Sequence, residues 1–299
     1  MKARLLLGPV LILALIAAIW GDDRLDSAPV PAFISSRWPE LTTFPPGTLM
    51  FIICFVLAII AARELAVFLR KKGIATSRRV MVFAAGLGMI VSCLVPDSVS
   101  GPVAIAIEST AAAFLLVLSL AYFSRKKNTE GVIAGAGGVL LAYVYLGIMF
   151  GFLLAIRREH SAWVVLWVLA VTKVCDIGAY FTGKAIGRHK LIPWLSPGKT
   201  WEGLIGGVIC SAAVAVGGVA LLRSCGISIG LTGALAAGVG AVFGAVGQFG
   251  DLLESLMKRD AGEKDSGKGV PGFGGVLDIL DSPIMVAPVA FWVLIWANS

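Results

Sequence analysis

The sequence predicts an all-α fold: a polytopic integral membrane protein with about nine transmembrane helices. Three observations carry this. Hydrophobic residues fill 58% of the 299 positions and the mean hydropathy is +0.91, whereas soluble proteins average roughly 45–50% apolar residues. Apolar runs recur along the whole length, which leaves no room for a large soluble domain. Charged residues are only 14% of the chain, and seven of its 18 carboxylates fall between Gly250 and Ser282. Polarity is therefore concentrated rather than spread over a water-facing surface.

The apolar runs place helices at 5–20, 47–69, 80–96, 102–123, 131–156, 162–183, 203–222, 229–248 and 283–298. The first and last are short for a bilayer and need tilt or flanking aromatics. Met1, Lys2 and Arg4 followed by an apolar run to Trp20 have the form of a signal peptide. The next residues, GDDRLDS, lack a small-x-small cleavage site, so a retained first span is expected.

Lys and Arg set the expected orientation. With the N-terminus inside, the inner segments hold eighteen of them, from Lys2 and Arg4 through the clusters Arg70–Arg79 and Arg125–Lys127 to segments 184–202 and 250–282. The outer segments hold five: Arg24, Arg37, Arg157, Arg158 and Arg223. The N-terminus is thus expected in the cytoplasm of a cell whose cytoplasmic membrane holds the protein. Loops 184–202 and 250–282 share that face, within reach of soluble nucleotides. The chain divides into an N-terminal transmembrane region, 1–125, and a C-terminal catalytic region, 126–299, that carries both loops.

Composition also excludes. Two histidines, His160 and His189, rule out a histidine-rich metal site. The five cysteines have no metal-ligand spacing and read as small buried hydrophobes. The net charge of +7 is the positive-inside excess and gives no reason to expect nucleic acid as a partner.

Segment 250–282 carries the chemistry. Asp251, Ser255, Lys258 and Arg259 recur at helical spacing, so the eighth span is expected to continue as a helix with one polar face. Glycines and Pro271 then break regular structure, and the glycines beside Phe273 let backbone approach a ligand. Asp278 and Asp281 are three apart, and Asp281-Ser282-Pro283 has the form of a helix start. Two carboxylate clusters brought together by a folded loop supply hard oxygen ligands that suit magnesium and phosphates. In segment 173–203, Lys173 and Asp176 sit at membrane depth, where ionisable groups are expensive. They serve a function there or form a structural pair one turn apart. Ser196-Pro197-Gly198-Lys199-Thr200 has the form of a phosphate-contacting loop before a helix, without the spacing of a Walker A motif. Arg63, Glu64 and Glu108 in the early spans read as snorkelling or interhelical pairs. Trp163, Trp167, Trp194 and Trp201 read as interfacial anchors.

The order Ser255-x-x-Lys258-Arg259-x-x-x-x-Lys264-Asp265-x-Gly267, then Pro271-Gly272-x-Gly274-Gly275-Val276-x-Asp278-x-x-Asp281, closely resembles the signature of phosphatidate cytidylyltransferases, also called CDP-diacylglycerol synthases. Asp176-x-Gly178-Ala179-Tyr180 and Ser196-Pro197-x-Lys199-Thr200-x-Glu202-Gly203 are similar to that family's other motifs. The matches cover about the last 130 residues. Two positions depart: Phe273 and Ile279 stand where the family usually has histidine and arginine. Phenylalanine neither donates a hydrogen bond nor carries charge. The carboxylates and lysines remain, so activity is expected to survive.

The resemblance implies condensation of phosphatidic acid with CTP, giving CDP-diacylglycerol and pyrophosphate, with the bilayer as setting and Mg2+ as cofactor. A second cation and a homodimer formed through Gly-rich helices are left open by the sequence. On this reading Asp251 and Asp278 ligate magnesium, with Asp281 as a third candidate. Lys258, Arg259 and Lys264 bind the nucleotide phosphates or the leaving pyrophosphate, and Asp265 orients Lys264 or the nucleotide. Ser255 belongs to the same substrate-binding face. Ser196, Lys199 and Thr200 contact a phosphate, and Asp176 and Tyr180 line the lipid side of the cavity. The alternatives are a nucleotide-dependent membrane lipid kinase, which the signature opposes, and a non-enzymatic transporter or scaffold of the same fold. The transporter is opposed by the lack of an internal repeat. The scaffold is motivated by Phe273 and Ile279.

Overall fold

The computed structural model describes residues 2–94, 101–125, 129–267, 269, 272 and 274–298. Lys126, Lys127, Lys268, Pro271 and Phe273 lie outside the described residues. The helices are α1 (Lys2–Leu25), a single turn α2 (Ala32–Ser35), α3 (Thr48–Lys71), α4 (Arg78–Leu94), α5 (Gly101–Ser124), α6 (Val132–Leu141), α7 (Met149–Glu159), α8 (Ala162–Ile186), α9 (Trp201–Ser224), α10 (Gly233–Asp260) and α11 (Leu277–Asn298). A π-helical stretch, Ala142–Ile148, joins α6 to α7 without a break. Helix thus occupies each of the nine predicted positions. Among the described residues, seven of these are long and apolar enough to cross a membrane: α3, α5, α6 through α7, α8, α9, α10 and α11. The α4 helix, at 17 residues, is shorter than those seven.

The only strands among the described residues form a small hairpin that the sequence reading left as loop. Strands β1 (Lys190–Ile192) and β2 (Ser196–Thr200) pair antiparallel, with Lys190 opposite Thr200. The hairpin leads straight into α9, whose first turn Thr200 caps by accepting from Gly203 N at 3.1 Å.

Backbone contact sets the packing. Helix α4 crosses the π-helical stretch so closely that a Cβ on Gly88 would lie 2.5 Å from the Tyr143 carbonyl oxygen. Helices α8 and α9 meet the same way: a Cβ on Gly207 would lie 2.6 Å from the Cys175 carbonyl. Small residues therefore bring α8, α9 and α10 together, and the functional groups lie at one end of this triplet.

The opposite end is fastened by ions. Arg157 at the end of α7 is buried, as is Asp22 on α1. The Arg157 guanidinium donates to Asp22 Oδ2 at 2.5 Å, to Asp26 at 2.7 Å and to the His160 carbonyl at 3.2 Å. Asp22 Oδ1 also accepts from Met50 N, in the first turn of α3, at 2.8 Å. Asp23 accepts from Ser161 Oγ at 2.8 Å, at the start of α8. The acidic run after the first apolar segment thus ties three helices to α1. His160 sits here too, and burial holds its imidazole below the usual histidine range.

Candidate active site

At the other end α10 runs past the predicted limit of 248 to Asp260, as its polar face required. This carries Asp251, Glu254 and Lys258 along one side. Helix α11 starts at Leu277, six residues before the predicted start of the last span, so Asp278 and Asp281 are helical and Pro283 lies inside the helix. The early start has a local cause. The first free N–H groups of a helix need acceptors. Glu64 of α3 takes Val276 N at 3.0 Å and Leu277 N at 2.9 Å, and Asp278 Oδ2 takes Gly275 N at 2.7 Å. Two carboxylates at a helix N-terminus also match the positive end of its dipole.

Oxygens of Asp251, Glu254 and Asp281 lie within 4.8 Å of one another. Asp251 and Asp281 belong to the expected metal set. Glu254 stands where Asp278 was expected. Its side chain is fully buried, and Glu254 Oε1 has no hydrogen-bond partner among the described residues. A buried carboxylate left so is costly unless a cation completes it. Three hard oxygen donors around such a group fit a divalent cation of the magnesium type.

Asp278 is used differently. Its Oδ1 accepts from Lys258 Nζ at 2.7 Å, and its Oδ2 accepts from Ser266 N at 2.8 Å and Ser266 Oγ at 2.7 Å, besides Gly275 N. With these bonds it folds the glycine-rich loop back over α10. Gly274 sits against it with φ of 94°, a backbone region that other residues rarely enter. A Cβ there would come 2.3 Å from Asp278 Oδ2.

Lysines interleave with the acids. Lys199 lies 2.7 Å from Asp251, and Lys173 lies 3.1 Å from Asp281 and 3.5 Å from Asp176. Lys258 bridges Glu254 and Asp278. Lys173 and Asp176 are therefore a pair one turn apart, and Lys173 also reaches a second helix. Gln248 Nε2 donates to the other oxygen of Asp176 at 2.5 Å.

Beside this cluster opens a cavity of about 390 Å3, bounded by α8, β2, α9 and α10. Asp176, Tyr180, Lys184, Lys199, Thr200 and Asp251 line it. Tyr180, though it lines the cavity, is 62% exposed. Ser196 lies on the hairpin opposite Ile192, and Ser255 Oγ donates to Asp251 at 3.5 Å. Arg259 donates to the Glu263 carbonyl at 3.2 Å, and Lys264 and Asp265 are exposed on the loop. Ile279 lies in the first turn of α11. Glu202 accepts from Arg188 N at 3.1 Å and contacts His189 Nδ1 at 2.6 Å, which shapes the turn leading into the hairpin.

Two contributors, Glu254 and Gln248, were not singled out from the sequence, and a third, Glu64, was read only as snorkelling or an interhelical pair. Glu254 had a readable signal, because it is one turn from Asp251 on the same polar face. Glu64 showed only as a charge in an apolar span. Gln248, uncharged, gave no signal.

Known proteins match this chain over most of its length. The family model described as the cytidylyltransferase family matches residues 40–296. A phosphatidate cytidylyltransferase of Staphylococcus aureus (strain COL) is 33% identical over 243 residues, covering 81% of this chain and 88% of that protein. Phosphatidate cytidylyltransferases of Staphylococcus haemolyticus and Staphylococcus epidermidis are 35% and 32% identical, with the same coverage. The match takes in α3 and its Glu64, well ahead of the motifs that carried the resemblance. The chain belongs to the cytidylyltransferase family.

Proposed function

We propose that this protein transfers the cytidylyl group of CTP to phosphatidic acid, giving CDP-diacylglycerol and pyrophosphate for phospholipid synthesis. One observation carries the reading beyond the family match: the carboxylates Asp251, Glu254 and Asp281 converge with Lys173, Lys199 and Lys258 at the edge of a cavity at one end of the helices.

A phosphate oxygen of phosphatidic acid attacks the α-phosphorus of CTP, and the bond from that phosphorus to the oxygen bridging to the β-phosphate breaks. Pyrophosphate carries away the electron pair. A phosphate monoester is nucleophilic near neutral pH, so no strong general base is required. Alignment of two anions and neutralisation of their charge are the main tasks. Asp251, Glu254 and Asp281 would hold a divalent cation, Mg2+ by the hardness of the donors, which when bound offsets phosphate charge. Each of these carboxylates has a lysine partner. Lys199 and Lys258 turn from carboxylate to phosphate when the nucleotide enters, with Arg259 and Lys264 of the neighbouring loop as further contacts. Lys173 stays with Asp281 and Asp176 and offsets their charge at depth. Asp278 orders the loop, Asp265 orients Lys264, and Thr200 and Ser196 set the hairpin that presents Lys199. Asp176 and Tyr180 face the lipid substrate. The site faces the cytoplasm of the cytoplasmic membrane, and the N-terminus lies on the same side, in keeping with the Lys and Arg distribution.

Radiolabelled CTP, phosphatidic acid and magnesium with purified protein test the reading. Asp251→Asn, Glu254→Gln and Asp281→Asn are each expected to lower turnover by roughly 10²–10³-fold, the usual loss of one electrostatic element of a transition state. Full turnover in both Asp251→Asn and Glu254→Gln would remove the cation assignment. Turnover with ATP but not CTP would make the protein a lipid kinase.

A further inference from the structure

A second cavity, of about 610 Å3, opens among the ends of α3, α4, α5 and α6. Its volume lies within the range of ordinary ligand pockets. Arg70, Arg78, Arg79, Tyr122, Arg125 and Glu130 line it, and the four arginines and the glutamate are all exposed to solvent. None of the residues given roles in the proposed reaction takes part.

The charges there are not balanced from within. No ion pair of Arg70, Arg78 or Arg79 forms among the described residues. Arg125 lies over the Tyr122 ring at 3.6 Å, and the Tyr122 hydroxyl hydrogen-bonds Ser77 Oγ at 3.2 Å. That stack fixes the guanidinium plane. Arg78 and Arg79 occupy the first turn of α4, where the helix dipole opposes positive charge and favours an anion. A positive-inside excess accounts for arginines at these helix ends. It does not account for an open cavity whose lining gathers four of them beside a helix N-terminus.

We infer that this cavity binds a phosphate-bearing anion, with the headgroup of an anionic membrane lipid as the source that fits its place. Planar guanidinium groups match phosphate oxygens in pairs. Phe123 and Ala75 add apolar surface beside the charges, as the first carbons of a lipid's acyl chains would need. The helix ends also connect the cavity to the reaction site. Lys71 and Lys72, which follow Arg70, pair with Glu263 and Asp260 at the start of the glycine-rich loop. The same helix carries Glu64, which holds the far end of that loop. An occupant at Arg70 therefore sits on the helix that fastens the loop at both ends.

Native mass spectrometry of the detergent-purified full chain reads the binding directly. Phosphatidylglycerol, neither substrate nor product of the proposed reaction, is titrated against phosphatidylcholine, with inorganic phosphate as a competing arm. The wild type is expected to retain one phosphatidylglycerol at least fivefold more tightly than phosphatidylcholine, and Arg78→Gln/Arg79→Gln to lose that preference while its melting profile and CTP turnover persist. Arg78→Lys/Arg79→Lys keeps the charge without the planar forks and is expected to fall between. Displacement by millimolar phosphate, or phosphate retention without lipid preference, assigns the same site to a free phosphate ion. Equal retention by the wild type and the Gln pair, or no preference for either anion, overturns the inference. Should the Gln pair fail to fold, Arg125→Gln gives the same reading.

Discussion

Replacing Glu64 tests whether a side chain of the N-terminal half holds the reaction site in shape. Glu64 makes three hydrogen bonds with its carboxylate: Val276 N at 3.0 Å, Leu277 N at 2.9 Å and Ser266 Oγ at 3.1 Å. They join α3 to both sides of the glycine-rich loop and to the first turn of α11. Space for the carboxylate comes from Gly275, where a Cβ would lie 2.5 Å from Glu64 Oε2. A hydrogen bond to an ionised partner contributes about 1.5–3 kcal/mol. Glu64 is half-buried, so water replaces part of what Glu64→Ala removes. A net loss of roughly 2–4 kcal/mol in loop order follows from three such bonds discounted for solvent. At 1.4 kcal/mol for each factor of ten, that corresponds to about 30- to 700-fold in the population of the ordered loop.

Turnover with CTP and phosphatidic acid in detergent micelles should fall by a factor within that range in Glu64→Ala. Glu64→Gln keeps one accepting oxygen but points an amide N–H₂ at a backbone donor, and should fall less. Hydrogen exchange over 264–280 should quicken in the same order, while the melting profile stays close to wild type. The combination separates loop order from global stability. Folded Glu64→Ala with turnover within about twofold of wild type and unchanged exchange would refute the positioning role.

Three further outcomes follow from the packing and the ion pairs. Arg157→Leu leaves Asp22 buried without its cation and should cost about 3–5 kcal/mol, seen as faster heat inactivation in detergent; inactivation at the wild-type rate would show that the pair is dispensable. Gly207→Val drives a side chain into the Cys175 carbonyl and should part α8 from α9 at a cost of about 1–3 kcal/mol or more, with lower turnover than the distant Gly217→Val, whose Cβ would meet nothing within 4 Å. Cys225, the one exposed cysteine, lies between α9 and α10 at the end opposite the carboxylates. An impermeant maleimide should label it in intact cells, and a cysteine placed at Gly262 should react only after lysis; the reverse pattern would invert the proposed orientation.

Much of the architecture was legible because membrane spans are written in hydropathy, a signal that survives without knowledge of neighbours. The continuation of α10 was legible for a related reason: Asp251, Ser255, Lys258 and Arg259 mark one polar face of a helix. The hairpin was not, because a strand of three residues opposite one of five has no periodicity to read. The early start of α11 was hidden by Pro283, which usually marks a first turn. Here Glu64, more than two hundred residues away in sequence, supplies the cap that lets the helix begin before it.

The proposed exchange of roles between Asp278 and Glu254 has the same origin. Asp278 and Asp281 share one helix face, and Asp251 and Glu254, three apart on α10, share another, so any three of these four could have met. Backbone donors decide among them. The loop returns Gly275 N and Ser266 N to Asp278, which consumes one of its oxygens, and Lys258 takes the other. Glu254 lies one turn before Lys258 on α10 and, among the described residues, has no backbone donor to accept from and keeps a buried oxygen unpartnered. A carboxylate saturated by N–H groups is a poor cation ligand, because its lone pairs are engaged. One that is buried and unsaturated gains most from a cation. The division of labour among these acids is therefore set by which of them the glycine-rich loop reaches first.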